Sequence, residues 1–270
     1  MQYDQRPIGL IDSGIGGFSV LKELQQRLPD ENIIYLGDSL RMPYGELENA
    51  KIIAYADSDI RFLEEKSVKA ILLACNTISS LADRLTARVP LFSIIEAGCL
   101  SAIENKSEGN IGLIATTATV KNNAYPQKLS TMTDKVQFIQ HGTKTLAAVI
   151  NNYPDAIEML RNEIYYAIEP LVQQKDIKDL LLGCTHYPIV RETIQAMYPQ
   201  LRIINPAAKQ IELITQYLEE NQMFNKKTEQ GRTTIYTTGT MADYSIFKSM
   251  IRYLNIHCDE LQQCKLDIDK

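Results

Sequence analysis

The chain has no apolar run long enough to cross a bilayer and no charged-then-apolar leader pattern at its start, so a cytoplasmic protein with no membrane partner is the expectation. Cysteine is sparse. Cys75, Cys99, Cys184, Cys258 and Cys264 make an odd, scattered set of five, which is not a disulfide framework. No Cys-x-x-Cys pair occurs, and the three histidines, His141, His186 and His257, lie far apart, so no metal site is expected. Dense basic blocks are missing as well. The net charge is −5, from 28 Lys and Arg against 33 Asp and Glu, which disfavours a nucleic-acid partner. What remains is a 270-residue chain with 45% apolar residues, enough for one large α/β unit or two small ones.

The chain reads as though written twice. Residues 8–13 (IGLIDS) return at 111–116 (IGLIAT), an offset of 103, and 32–39 (NIIYLGDS) match 135–142 (KVQFIQHG) at the same offset. Residues 68–77 (VKAILLACNT) return at 177–186 (IKDLLLGCTH), an offset of 109, which 90–97 (PLFSIIEA) and 199–206 (PQLRIINP) share. Short runs of Ile, Leu and Val alternate with segments of helical period at 18–28, 50–66, 158–174 and 208–220. That alternation predicts βα units and mostly parallel sheets, whose strands are buried on both faces and so read as continuous apolar runs. The expected architecture is two similar α/β domains related by a pseudo-twofold axis, with a ligand cleft between them. The first would comprise 1–97 plus a returning segment 208–270, and the second 98–207. Within the returning segment, 233–238 reads as an added strand and 241–254 as a helix with Ile246, Met250 and Leu254 on one face. The polar stretch 221–232 reads as an exposed connection.

The sharpest chemical signal is the repeated strand that ends in cysteine. A lone Cys at a strand end is most often a small buried hydrophobe. Two at matched repeat positions, Cys75 before Asn76-Thr77 and Cys184 before Thr185-His186, point instead to a pair facing one cleft. Helix starts beside them would favour the thiolate. Two opposed thiols suit inversion of a carbon centre without a cofactor, because one must remove a proton from one face while the other delivers a proton to the opposite face. The loop Asp12-Ser13-Gly14-Ile15-Gly16-Gly17 opens a helix after the first strand. It reads equally as a carboxylate-holding loop or as a glycine-rich turn, and it lacks the features of a nucleotide-binding loop. Pro43-Tyr44-Gly45 signals a turn, and Asp38-Ser39 a cap or turn. Thr116, Thr117 and Thr119 fill the place of Asp12-Ser13 in the second repeat, as carboxylate donors or as a helix cap. His186, beside Cys184, could tune that thiol or pass protons. His141, His257, Cys99, Cys258 and Cys264 have no such company and read as structural.

The ordered set GLIDSGIGG, GDSLRMPYG, ACNT, IATTATVKNNAY and GCTHYP, with IYTTG at 235–239, resembles the glutamate racemases over most of the chain. The resemblance implies an enzyme that interconverts L- and D-glutamate and supplies the D-isomer for peptidoglycan in bacteria. It also implies no pyridoxal phosphate, metal or nucleotide. By position it makes Cys75 and Cys184 the catalytic thiols, with Asp12 and His186 assisting. Asp12, Ser13, Tyr44, Gly45, Asn76, Thr77, Thr185 and His186 would bind substrate, and Thr116 is a further candidate. Dimers are common in that family, although no surface pattern in the sequence argues for one. The sequence departs from the family pattern at 140–153 (QHGTKTLAAVINNY), where the position of an acid near the active site falls on Asn151 or Asn152 or is lost, and at 203–207 (IINPA), where the family often has Asp. Another acidic amino acid such as aspartate, or a binding or regulatory protein with weakened turnover, are the competing readings.

Overall fold

A computed structural model describes residues 3–104, 110–153, 155–173, 177–226 and 230–266. In chain order the principal elements are β1 (Ile8–Asp12), α1 (Phe18–Arg27), β2 (Ile33–Gly37), α2 (Asn49–Glu65), β3 (Ala70–Leu73), α3 (Asn76–Ser79), β4 (Leu91–Ser93), α4 (Ile94–Glu104), β5 (Ile111–Thr116), α5 (Thr117–Lys121), α6 (Ala124–Ser130), β6 (Phe138–Thr143), α7 (Leu146–Asn152), α8 (Ile157–Val172), β7 (Asp179–Gly183), α9 (Arg191–Met197), β8 (Arg202–Ile204), α10 (Ala207–Glu220), β9 (Thr233–Thr237), α11 (Met241–Leu254) and β10 (Glu260–Gln263).

They build two parallel sheets, ordered β10-β9-β2-β1-β3-β4 and β6-β5-β7-β8. β1, β3 and β7 are buried along their whole length, as strands covered by helices on both faces must be. In both sheets the chain runs one way from the central strand and then crosses to its other side, so the carboxyl ends of β1/β3 and of β5/β7 flank a topological switch point.

Strand register tests the repeat residue by residue. Ile11 lies opposite Leu73 and Ile114 opposite Leu182, which preserves the offsets of 103 and 109. Cys75 and Cys184 each lie two residues beyond the second member of these pairs and are therefore structural equivalents. The flanking strands differ from the sequence expectation. Phe138, not Val136, takes the place of Ile33, so the second strands are offset by 105. Ile203 takes the place of Leu91, an offset of 112. Loop insertions before edge strands cost little, whereas the central strands tolerate no slip without turning their faces over.

The boundary expected at 97/98 falls inside α4, which packs on both α6 and α10. One apolar core accordingly runs through both halves, from Leu10 and Phe18 by way of Cys99 and Ile211 to Leu113 and Leu181. The C-terminal residues extend the first sheet, β9 beside β2 and β10 beside β9. The strand expected at 233–238 and the helix at 241–254 are present, while β10 carries no sequence signal strong enough to have been read. α11 begins on a capping box between Thr240 and Asp243, and it buries Phe247 and Met250, with Ile246 and Leu254 only partly covered. No helix among the described residues is long and apolar enough to cross a membrane.

Candidate active site

A cavity of about 490 Å³ opens between the carboxyl ends of the two sheets. The first half lines it with Ser13, Tyr44, Gly45, Cys75, Asn76 and Thr77, and the second with Thr116, Thr143, Asn151, Cys184, Thr185 and His186. Among the expected site residues, only Asp12 stands outside this wall. It is fully buried behind it and accepts hydrogen bonds from the Gly14 N–H (3.0 Å) and from Thr185 Oγ1 (2.9 Å). The Asp12 carboxylate does not line the cavity; it adjoins the cleft through Thr185, tying the end of β1 in one half to the turn after β7 in the other. Burial pushes its pKa up to about 6 against these hydrogen bonds.

Both thiols sit at helix or turn starts. Backbone N–H groups of Thr77 and Ile78 point at Cys75, and that of His186 at Cys184, all favouring the thiolate. Burial nevertheless dominates. It pushes Cys75 up to about 11, with the charge of Asp12 adding to the rise, and it pushes Cys184 higher still. The thiolate-favouring microenvironment expected from helix starts alone is thus overridden by desolvation. Cys75 Sγ donates to Ser13 Oγ at 3.7 Å, and Cys184 Sγ lies 3.8 Å from His186 Nδ1. Charge on Cys75 adds to the rise at Cys184, as expected of groups on one small cavity.

His186 is buried without a charged partner, which lowers its pKa to about 4, and its Nε2 atom has no hydrogen-bond partner among the described residues. The ring is therefore neutral near pH 7. Because the unfolded chain takes up a proton near pH 6.5 and the folded one near pH 4, this residue weakens the fold by roughly 3 kcal/mol as pH falls through that window. Asp12 acts oppositely: its raised folded pKa adds roughly 3 kcal/mol as pH falls from 6 to 3.8. Urea titrations at pH 7 and pH 4 should show His186→Asn losing less stability on acidification than the parent chain. Parallel curves at the two pH values would refute this.

Threonines fasten the two halves across the floor. Thr77 Oγ1 meets Thr116 Oγ1 at 3.1 Å, and Thr116 also caps α5 through the Thr119 N–H at 3.4 Å. Cap and cleft residue are the same side chain. Tyr125 donates to Asn76 Oδ1 at 2.7 Å, which leaves the Asn76 amide hydrogens for the cavity. The Tyr44 hydroxyl turns inward to Asp38, and the residue lines the cavity together with Gly45. Asp38 caps nothing; it accepts from Thr238 Oγ1 at 2.6 Å and from Tyr44.

Sequence reasoning missed Tyr187. Its hydroxyl pairs with Thr143 Oγ1 and reaches back to the Cys184 thiol. The signal lay in the GCTHYP motif itself, three residues after the cysteine. Met42, Lys121 and Lys144 also line the cavity unannounced. Among the described residues no group of three or more His, Cys, Asp and Glu is arranged to hold a metal ion.

Paired parallel sheets with register-equivalent cysteines on one cleft define the class: a pseudo-symmetric, two-sheet α/β protein with its cavity between the halves. The family model described as Asp/Glu/Hydantoin racemase matches residues 8–214. A protein named glutamate racemase 1, from Caldanaerobacter subterraneus subsp. tengcongensis, is 35% identical over 88% of this chain and 89% of its own length. Among solved structures, a glutamate racemase isoform from Bacillus anthracis has a TM-score of 0.89 at 27% identity, covering 97% of this chain and 98% of its own. The Francisella tularensis glutamate racemase, solved in complex with D-glutamate, has a TM-score of 0.87 at 30% identity, covering 98% of this chain and 99% of its own. The chain belongs to the Asp/Glu/hydantoin racemase family, grouping with the glutamate racemases, and is thereby an amino-acid racemase.

Proposed function

We propose that the protein interconverts L- and D-glutamate, with Cys75 and Cys184 exchanging the α-proton from opposite faces and with no cofactor, and that the D-glutamate serves peptidoglycan synthesis. The observation that carries this reading is the pair of register-equivalent thiols on one cavity of about 490 Å³. The high thiol pKa values make each sulfur a strong base once ionised and a reluctant acid otherwise. The protein meets that demand by holding one thiol protonated while the other accepts. The carbanion formed at Cα needs its charge drawn into the α-carboxylate. Ser13, the Asn76 amide and Thr77 are donors at the cavity wall for that purpose, while the Thr185 hydroxyl is committed to Asp12. Neutral His186 lies beside Cys184, where its Nδ1 can meet the thiol by hydrogen bonding rather than as a cation, and Asp12 holds Thr185 in place.

The test is circular dichroism of L-glutamate in deuterium oxide with purified protein, run beside D-glutamate and L-aspartate. Loss of optical activity from both glutamate enantiomers, with deuterium entering Cα, is expected, and slower change with aspartate. A flat trace from folded protein would overturn the reading. It would favour the competing one, a family member with weakened turnover, for which the amides of Asn151 and Asn152 at the cavity wall are the supporting observation.

A further inference from the structure

The apolar stripe of α2, made by Ile52, Ala56, Ile60 and Leu63, is broken by a carboxylate: Asp59 is fully buried. Its Oδ1 accepts from Arg41 Nη2 at 2.8 Å, and its Oδ2 lies 3.5 Å from the Tyr44 hydroxyl. Arg41, also largely buried, reaches Asp38 Oδ2 through Nε at 2.5 Å, donates to Ser58 Oγ at 2.9 Å, and stacks 4.5 Å over the Tyr55 ring. The Tyr44 hydroxyl completes the set by donating to Asp38. Two buried carboxylates thus share one guanidinium, and burial together with the charge of Asp38 raises the Asp59 carboxyl well above its ordinary range.

Isolated buried ion groups cost more than an apolar core of the same shape, so this one calls for a reason other than stability. Its location supplies one. The Tyr44–Gly45 turn is one part of the first half that leans on the second, and a Cβ at Gly45 would stand 3.2 Å from Thr116 Cβ. Thr116 is the side chain already bonded to Thr77 beneath the cavity. Nothing else polar anchors the Tyr44 ring from behind among the described residues.

We propose that Arg41 and Asp59 are positioning residues for the cleft. Through Tyr44 they hold the 44–45 turn against Thr116, and they do so by hydrogen bonding rather than by the net charge of Asp59. Neither touches the cavity, so they set how well the distal part of an acidic amino acid is enclosed, not the proton transfer itself. The functional half of this inference rests on the glutamate reading above.

Two readouts separate the pieces. Hydrogen exchange over residues 42–47 reports the turn whether or not the protein turns over glutamate. Asp59→Ala and Arg41→Lys should speed exchange there by about 10-fold while the central strands stay protected. With glutamate, both should raise KM about 10-fold and change kcat less than about threefold. Asp59→Asn, which keeps the shape and loses the charge, should restore both readouts to near the parent values. Should the alanine and lysine variants prove poorly folded, Tyr44→Phe, lacking a single hydroxyl, must show the same exchange and KM changes. Unchanged exchange and KM in folded variants would overturn the proposal, as would Asp59→Asn behaving like Asp59→Ala. A parent chain inactive on glutamate would sink the substrate reading, and the exchange result would still decide this one.

Discussion

Cys75→Ser and Cys184→Ser should each lower racemization of glutamate by about 10³-fold or more, with the fold intact. Serine is nearly isosteric and its hydroxyl can keep the neighbouring contacts, so the loss isolates proton transfer. In the buried cleft even the thiols are pushed to about 11 or above, and an alcohol cannot ionise there at all. The two variants should differ in a way a structural role cannot imitate. Each retains one thiol, facing one side of Cα, and so should still exchange the α-hydrogen of one enantiomer with solvent without inverting it. The enantiomer exchanged should be opposite in the two variants. Mass spectrometry of L- and D-glutamate recovered from deuterium oxide reads this directly. Racemization at near-parental rate in either variant, or exchange of the same enantiomer by both, would remove the two-sided mechanism.

Gly16→Ala should cost about 10²-fold in kcat/KM although the side chain added is one methyl group. A Cβ at Gly16 would stand 2.5 Å from both His186 Nδ1 and Thr185 Oγ1. Neither neighbour is a flexible tip. Both are buried, Thr185 is bonded to Asp12, and the Thr185 carbonyl accepts from Ser19 Oγ at 2.9 Å. The methyl group must push the Cys184-Thr185-His186 turn off the glycine loop and so misplace the second thiol relative to the first. Gly142→Ala, whose nearest neighbour stands at 3.5 Å, provides the control and should change kcat/KM little. Equal kinetics for Gly16→Ala and the parent would mean that the two loops are not held as closely as their geometry shows.

The architecture was legible because parallel strands buried on both faces must be continuous in Ile, Leu and Val, and because a duplicated chain repeats that mark. Ile8–Asp12 and Ile111–Thr116, or Ala70–Leu73 and Asp179–Gly183, can be matched by eye, and the equivalence of Cys75 and Cys184 follows from them. The resemblance of the motifs to a racemase family named the remaining cleft residues, and nearly all of them do line one cavity. Edge strands carry weaker patterns, which is why the offsets of β6 and β8 were misjudged and β10 went unseen.

What the linear chain could not settle is which way each polar group points and how much water it loses. A sequence places Asp12 beside Ser13; only the packing puts its carboxylate behind Thr185 rather than in the cleft. It places Tyr44 in a turn; only the buried Asp38 and Asp59 draw the hydroxyl inward. It puts both thiols at helix starts, where the local amides favour the anion, but the desolvation that raises their pKa values comes from residues far away in sequence closing over them. Periodicity and residue type determined the strands, the helices and the paired cysteines, because these depend on neighbours along the chain. Burial and hydrogen-bond partnership were decided by the tertiary structure, because they depend on how separate elements close over a side chain and which polar groups they bring to it.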